Sequence, residues 1–214
     1  MTIKAIIFDM DGVLINSEYE YIKMSKKFLE SYGVEVKLED MYFFAGSPRS
    51  TELEFITKKL NLPADECERI EDKFFAQFKI DYLNWKKDYV DDLLEYLKNN
   101  NIKVALASSS KMNNIEQVLK DCKIGDYFSY IVSGEMFVRT KPDPEIYEYT
   151  TSKLCLSKDE ILVVEDSTYG ITASKAAGLK TVAVIDPVLN FDNHLADYKV
   201  KSLKEIIDIL EGEK

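Results

Sequence analysis

The chain begins with an apolar run that ends abruptly in two acidic residues. Residues 6–14 read Ile-Ile-Phe-Asp-Met-Asp-Gly-Val-Leu, so a strand-sized apolar segment leads directly into Asp9 and Asp11. Short continuous apolar runs are typical of buried strands in parallel sheets. Two carboxylates at the end of such a strand are costly to desolvate side by side. Ligand sites of open parallel sheets lie outside the carboxyl ends of the strands. This feature therefore indicates a functional site rather than an acidic turn on the surface.

Strand-like and helical patterns alternate along much of the chain. Strands are predicted at residues 3–8, 103–107, 130–133, 161–164 and 181–185. Amphipathic helices are predicted between them, at residues 90–99, 113–121, 143–153 and 168–177. This alternation predicts right-handed βαβ units, and hence an α/β fold with a Rossmann-like parallel sheet covered by helices on both faces.

The segment from about residue 16 to residue 88 breaks this rhythm. It contains no convincing strand, and it carries amphipathic stretches at residues 19–32, 50–60 and 64–82. The simplest interpretation is a helical module inserted after the first strand. We therefore expect an α/β core of residues 1–15 and 89–214, with an inserted α-helical domain at residues 16–88.

Composition and charge narrow the class of protein. The chain has 214 residues, of which 46% are hydrophobic and 31% charged, as is ordinary for a globular protein. The net charge of −10 argues against nucleic acid as a partner, because nucleic-acid binding needs a basic face. No apolar run approaches the length of a membrane span, and no secretory signal precedes the first strand. The three cysteines follow no disulfide or metal-binding pattern. We expect a cytoplasmic monomer with no membrane partner.

Three more motifs follow the first acidic pair in order. They are Leu-Ala-Ser-Ser-Ser at residues 106–110, Lys-Pro-Asp-Pro at 141–144 and Val-Val-Glu-Asp-Ser at 163–167. Together with Asp-Met-Asp-Gly-Val at 9–13, they resemble the four ordered motifs of the haloacid dehalogenase-like superfamily, in its β-phosphoglucomutase-like phosphatase branch. The resemblance covers essentially the whole chain. It implies aspartate-based phosphoryl transfer and a helical cap between the first motif and the second strand.

The candidate catalytic residues are Asp9, Asp11 and Lys141. A carboxylate such as Asp9 can attack phosphorus to form an aspartyl phosphate, which divides a difficult hydrolysis into two easier steps. Asp11 could protonate the leaving alcohol and then deprotonate the attacking water. The resemblance implies this division of roles, with the Asp11 backbone carbonyl also offered to a metal. Lys141 matches the third motif, and it would neutralise the nucleophile and the phosphoryl group.

A second acidic pair, Glu165 and Asp166, closes another strand-like run. Four acids that converge at neighbouring strand ends would repel one another strongly without a cation. Hard oxygen ligands favour Mg²⁺, which we predict as the cofactor. We expect Asp166 to be a direct ligand and Glu165 to be either a ligand or an acid behind the ligands. The candidate metal-binding residues are Asp9, Asp11, Glu165 and Asp166.

Candidate substrate contacts come from the second motif and from the cap. The Ser108 hydroxyl and the N–H groups that follow it could cradle a phosphoryl oxygen at a helix amino end. Arg49 could contact a distal phosphate, although an exposed arginine at a helix start explains it equally well. The candidate phosphate- and substrate-binding residues are Ser108, Ser109, Ser110, Lys111, Lys141, Gly46 and Arg49.

The stretch from Asn16 to Tyr21 departs from the mutase pattern. Gapless counting places Tyr21 where a β-phosphoglucomutase carries a histidine, and a tyrosine shuttles protons poorly near neutral pH. The preferred hypothesis is a magnesium-dependent phosphatase of a small phosphorylated metabolite, with a sugar or polyol phosphate as the substrate. A phosphosugar mutase and a non-catalytic relative that binds metal or a phosphorylated ligand stay open as alternatives. A dehalogenase is disfavoured because carbon–halogen displacement needs no acid such as Asp11.

Overall fold

A computed structural model describes residues 2–47, 49–189 and 191–212. The chain divides into two compact units, Met1–Asn16 with Tyr82–Lys214, and Ser17–Asp81. The first unit includes residues 82–88, which the sequence analysis assigns to the cap. Two contacts explain their placement: the Tyr82 hydroxyl donates to Asn114 Oδ1 at 2.6 Å, and the Asn16 N–H donates to the Trp85 carbonyl at 2.6 Å.

The first unit is built on a sheet of six parallel strands in the order β3-β2-β1-β4-β5-β6. The strands are β1 (Ala5–Phe8), β2 (Lys103–Ser108), β3 (Tyr130–Ser133), β4 (Ile161–Glu165), β5 (Lys180–Val184) and β6 (Tyr198–Val200). The first five lie within one or two residues of the predicted strands, and the α/β fold class is confirmed. Strand β1 lies between β2 and β4, with Phe8 level with Leu106 on one side and Val164 on the other.

Helices cover this sheet and build the second unit. They are α1 (Ser17–Ser31), α2 (Arg49–Leu60), α3 (Ala64–Phe75), α4 (Tyr82–Trp85), α5 (Val90–Asn99), α6 (Met112–Asp121), α7 (Glu145–Leu154), α8 (Thr168–Ala176) and α9 (Glu205–Gly212). Apolar side chains from α7 and α8 join those of the central strands in one buried cluster, which includes Ile7, Val163, Tyr147 and Ala173. None of the described helices has the length and apolar composition needed to cross a membrane.

The regular secondary structure in the described part of the second unit is helical. Helices α1 to α3 and a 3₁₀ segment at Glu39–Phe44 bury Phe28, Met41 and Ile56. The amphipathic stretch predicted at residues 64–82 is helical only in part, because α3 ends at Phe75. The N–H groups of Gln77 and Phe78 donate to carbonyls three residues back, which tightens and closes the last turn.

An ion pair between Lys4, just before β1, and Glu160 is expected to make the stability of the protein depend on pH in the acid range. The Lys4 ammonium lies 2.5 Å from Glu160, which also accepts hydrogen bonds from the Ser157 N–H and hydroxyl at 3.0 and 2.7 Å. The Lys4 contact, together with those from Ser157, lowers the pKa of Glu160 from 4.5 to about 2. The folded state therefore holds Glu160 ionised where the unfolded state protonates it, so this contribution is complete above pH 4.5 and is lost as the pH falls towards 2.

We expect Glu160→Gln to lower the free energy of unfolding at pH 7, with the deficit relative to wild type shrinking between pH 4.5 and pH 2. Urea unfolding followed by circular dichroism at several pH values measures this. Glu148→Gln, at an exposed position on α7, is the matched control. A deficit that is constant over this pH range would contradict the assignment.

Candidate active site

Three strands bring polar side chains to one edge of the sheet. Asp9 directly follows β1, Ser108 is the last residue of β2, and Glu165 is the last residue of β4. The Asp9 N–H donates to the Val164 carbonyl at 2.9 Å, which extends the hydrogen bonding between β1 and β4 by one residue. Because the strands are parallel, their carboxyl ends meet at this edge. The structure thus brings these three predicted site residues together.

Lys141, between β3 and α7, is the central cation of this group. Its Nζ donates to Asp9 Oδ1 at 2.6 Å, to Glu165 Oε1 at 2.7 Å and to the Ala107 carbonyl at 3.0 Å. Only 6% of its side chain is exposed. An ammonium group has three N–H donors, so the protein uses all of them. The structure places Lys141 directly on the predicted nucleophile.

Both oxygens of Glu165 are occupied by donors from the protein. Oε1 accepts from Lys141 and from the Tyr147 hydroxyl, each at 2.7 Å. Oε2 accepts from the Asp166 N–H at 3.0 Å and from the Ser167 N–H and hydroxyl at 3.2 Å. Burial, with the charge of Glu165 adding to it, raises the pKa of Tyr147 well above its ordinary value, so its hydroxyl stays a donor. In this arrangement Glu165 acts as an anchor for Lys141.

The site carries more negative than positive charge. Burial raises the pKa of the Asp9 carboxyl to about 8, with Lys141 opposing the increase and Glu165 and Asp11 adding to it. Burial also acts to lower the pKa of Lys141, but the charges of Asp9 and Glu165 outweigh it and hold that pKa well above the ordinary value. Lys141 therefore offsets only part of the charge that the carboxylates bring.

The residues present fit a hard divalent cation. Asp9, Glu165 and Asp166 are buried, and each offers a carboxylate oxygen within 4.8 Å of the others. Carboxylate oxygens of this kind suit Mg²⁺, which would also offset the surplus charge. Among the described residues, the Asp11 side chain is not part of this group, and its Oδ2 accepts a hydrogen bond from Ser110 Oγ at 2.8 Å. The role of Asp11 at the metal, which the family resemblance assigns to its backbone carbonyl, stays a prediction.

Gly12 lets Asp166 approach the first motif. Its backbone has φ +74°, and its N–H donates to the Ile15 carbonyl at 2.9 Å. A Cβ at this position would lie 1.8 Å from Asp166 Oδ2. Glycine is required here both for the left-handed backbone and for the space.

Gly170, in the first turn of α8, leaves the space that the Glu165 carboxylate occupies. A Cβ there would lie 1.7 Å from Glu165 Oε1 and 2.2 Å from Oε2. We expect Gly170→Ala to displace the carboxylate from Lys141 and Tyr147, and to lower kcat/KM about 100-fold, since displacement of a catalytic group by an ångström has effects of this size. Gly125→Ala is the matched control, because its Cβ would meet only Leu119 at 3.8 Å. Steady-state kinetics of the two variants make the comparison, and equal rates would contradict the expectation.

Residues 108–111 differ in burial: Ser108 and Ser110 are held by hydrogen bonds within the protein, whereas the other two are exposed. Ser108 is fully buried, and its Oγ accepts from the Ser110 N–H at 3.1 Å. The Ser110 carbonyl accepts from the Ser133 hydroxyl at 2.7 Å, so Ser110 is fixed between β3 and Asp11. Ser109 and Lys111 are exposed, and Lys111 precedes α6. Ser110 is thus placed to orient Asp11, the predicted catalytic acid, and its predicted contact with substrate stays a prediction.

Lys87 is a second cation near the acids, and the sequence did not suggest it. Burial lowers the pKa of Lys87, and the charges of Asp166 and Asp186 act in the opposite direction. Lys87 therefore lies within electrostatic reach of the predicted metal ligand Asp166.

The predicted cap residues lie in the helical unit. Gly46 has φ +66° and precedes α2. Arg49 donates to Glu52 Oε2 at 3.0 Å, and its second terminal nitrogen pairs with the buried Glu71. Tyr21 is half-buried on α1. The role of Arg49 and Gly46 as substrate contacts stays a prediction, and the structure adds that Arg49 carries two acidic partners.

The fold and this group of acids around a lysine define a class of hydrolytic enzymes. Residues 6–184 match the model of the haloacid dehalogenase-like hydrolase family. The chain therefore belongs to the haloacid dehalogenase-like hydrolases, as its four motifs indicate.

Relatives along nearly the whole chain carry phosphatase and mutase names. A phosphorylated carbohydrates phosphatase from Thermotoga maritima is 30% identical over 214 residues, which is 97% of this chain and 98% of the relative. A β-phosphoglucomutase from Bacillus subtilis is 32% identical, over 85% of this chain and 83% of its own. The crystal structure of β-phosphoglucomutase from Clostridium difficile superposes with a TM-score of 0.74 at 25% identity, covering 99% of this chain and 98% of that one.

Proposed function

We propose that this protein is a magnesium-dependent phosphatase that hydrolyses a small sugar or polyol phosphate through an aspartyl phosphate on Asp9. The observation that carries the proposal is the buried Lys141 ammonium, which bridges Asp9 and Glu165 beside Asp166. This arrangement combines a carboxylate nucleophile, a cation for the phosphoryl charge and oxygen ligands for a metal. The phosphatase from Thermotoga maritima, named for phosphorylated carbohydrates, supports the substrate class.

Each residue has a distinct part in the proposed reaction. A carboxylate oxygen of Asp9 attacks phosphorus as the ester P–O bond breaks, and Asp11 gives its proton to the leaving alcohol. Asp11 then takes a proton from the water that attacks the aspartyl phosphate, and inorganic phosphate leaves. The hydrogen bond from Ser110 holds Asp11 in place for both proton transfers.

Asp9 and Asp166 would hold Mg²⁺, with Glu165 behind them as the anchor of Lys141. The ion would polarise the phosphoryl oxygens and offset the carboxylate charge. Lys141 contributes a fixed positive charge next to the attacking oxygen, and burial strengthens that effect because little water screens it.

A phosphosugar mutase is the second candidate, and one observation favours it. The mutase from Bacillus subtilis is 32% identical to this chain, against 30% for the phosphatase, although its match covers 85% of this chain rather than 97%. Such an enzyme would use the same aspartyl phosphate but return the phosphoryl group to a sugar. Tyr21, at the position where a mutase carries histidine by gapless counting, supports the phosphatase instead.

Phosphate release from a panel of monoesters tests the proposal. The panel runs from hexose and pentose phosphates to phosphoglycolate, glycerol phosphates and nucleotides, each with Mg²⁺ and with chelator. We expect metal-dependent release concentrated on sugar or polyol phosphates. Isomerised sugar phosphate that accumulates only with a sugar bisphosphate present would establish the mutase instead. No turnover of any kind would contradict both candidates.

A further inference from the structure

Tyr147 places a hydroxyl group in the centre of the predicted site. It is fully buried on α7, and its hydroxyl donates to Glu165 Oε1 at 2.7 Å. Lys141 donates to the same oxygen, and its Nζ lies 4.9 Å from the centre of the Tyr147 ring. The Glu165 oxygen that anchors Lys141 therefore has a second donor.

The second donor on Glu165 matters because the N–H groups of Lys141 are already in use. All three of its N–H groups are used by Asp9, Glu165 and the Ala107 carbonyl. To donate to a phosphoryl oxygen, Lys141 has to release one of these acceptors. Asp9 is the nucleophile, and the hydrogen bond to it brings the positive charge to the reacting atoms, so the acceptor to release is Glu165 or the Ala107 carbonyl. Release of Glu165 is open to Lys141 because Glu165 Oε1 has a second donor, the Tyr147 hydroxyl.

Release of Glu165 would be costly if Lys141 were the only donor to Oε1. Glu165 is fully buried, and a buried charged acceptor left without a donor costs much more than an exposed one. Its other oxygen is already fixed by Asp166 and Ser167, so the carboxylate cannot rotate to find another partner without breaking those bonds. The Tyr147 hydroxyl is the donor that stays on Oε1 in the described structure.

We propose that Tyr147 is a positioning residue whose hydroxyl keeps Glu165 hydrogen-bonded while Lys141 turns an N–H group to the phosphoryl group. Tyr147 acts through Glu165 and Lys141 and makes no bond to the substrate. This role rests on the proposed phosphoryl-transfer function. It assigns a task to a side chain that otherwise belongs to the apolar cluster beneath the sheet.

The test compares Tyr147→Phe with Tyr149→Phe on the same helix. We expect Tyr147→Phe to lower kcat/KM about tenfold and to weaken the binding of inorganic phosphate in Mg²⁺ buffer by a similar factor. Calorimetric Mg²⁺ affinity and the thermal midpoint should stay close to wild type, because Asp9 and Asp166 are untouched. Tyr149→Phe, whose ring packs on Phe137, should match wild type in all four measurements.

A double-mutant cycle with Glu165→Gln separates positioning from a general effect on the core. If Tyr147 acts through the Glu165 charge, then Tyr147→Phe in the Glu165→Gln background should change phosphate affinity by less than about twofold. An undiminished effect in that background overturns the proposal. The proposal is also overturned if Tyr147→Phe and Tyr149→Phe give equal values. It is overturned as well if Tyr147→Phe unfolds or loses Mg²⁺ binding, because the hydroxyl would then stabilise the core rather than position Glu165.

The two proposals fail in different ways. If the wild-type protein shows no metal-dependent phosphate release, the proposed function is contradicted. The phosphate affinities of wild type and Tyr147→Phe can still be compared in that case, and they test the role of Tyr147. Active wild-type protein with an unaffected Tyr147→Phe variant contradicts the positioning role alone.

Discussion

Replacing Asp9 by asparagine is expected to abolish turnover while leaving the fold intact. The amide keeps the size of the side chain but cannot attack phosphorus, so kcat should fall by at least about 10³-fold. The thermal midpoint should equal or exceed that of wild type. Burial raises the pKa of Asp9 to about 8, above the 3.8 of the free side chain, so folding at neutral pH must either take up a proton at Asp9 or bury its charge, and a neutral amide removes that cost.

The kinetic pattern separates loss of chemistry from loss of structure. Steady-state phosphate release and thermal unfolding should be measured on the same preparation of Asp9→Asn. Substrate affinity, measured by calorimetry with Mg²⁺ present, should remain near that of wild type. Turnover within about tenfold of wild type would exclude Asp9 as the nucleophile.

Lys141→Met is expected to damage both activity and stability. Without the ammonium, Asp9 and Glu165 remain as buried carboxylates with no cation between them, and breaking a buried ion pair in this way costs about 3–5 kcal/mol. Activity should fall by about 10³-fold, because the phosphoryl group loses its fixed positive charge. Urea unfolding and phosphate release measure the two effects.

Two further variants make the Lys141 result specific. Lys153→Met removes an exposed lysine from the last turn of α7 and should leave both quantities near wild type. Lys141→Arg should recover stability only in part, since a guanidinium has a different donor geometry and a larger volume than the ammonium. A Lys141→Met protein that is fully active would contradict the proposed role of this lysine.

Most of the sheet was predictable because its strands are buried on both faces. The run Ile-Leu-Val-Val at residues 161–164 is apolar along its length, and this pattern distinguishes such strands without knowledge of their neighbours. Strand β6, Tyr198–Val200, was not predicted. It is three residues long at the edge of the sheet, with Lys199 exposed and only Val200 fully buried, so its pattern is too short to stand out.

The acids of the candidate site were predictable for a related reason. Asp9 and Glu165 each terminate an apolar run, so their position along a strand also gives their position in space. Lys141 follows no strand, and its selection depended on the resemblance of its motif to the family. Its two contacts to buried carboxylates are in accord with that selection.

Other residues at the site depend on tertiary approach and have no local signal. Tyr147 has the spacing of an ordinary core residue on α7, and nothing in that spacing indicates a hydroxyl aimed at Glu165. Gly170 follows a normal helix start, and its requirement arises only because that carboxylate lies where a Cβ would be. The pairing of Arg49 with Glu71 joins two different helices and could not be read from spacing.

Trapping the phosphoryl group on Asp9 tests the central proposal most directly. The Asp11→Asn variant is mixed with Mg²⁺ and acetyl phosphate, whose leaving group needs no acid, so the first step should proceed while the water attack is slowed. Acid quenching and mass spectrometry of the peptides then locate any adduct. We predict a stoichiometric burst of acetate and a phosphoryl group on Asp9. Steady turnover with no burst and no adduct on Asp9, or an adduct on another residue, would contradict the proposed mechanism.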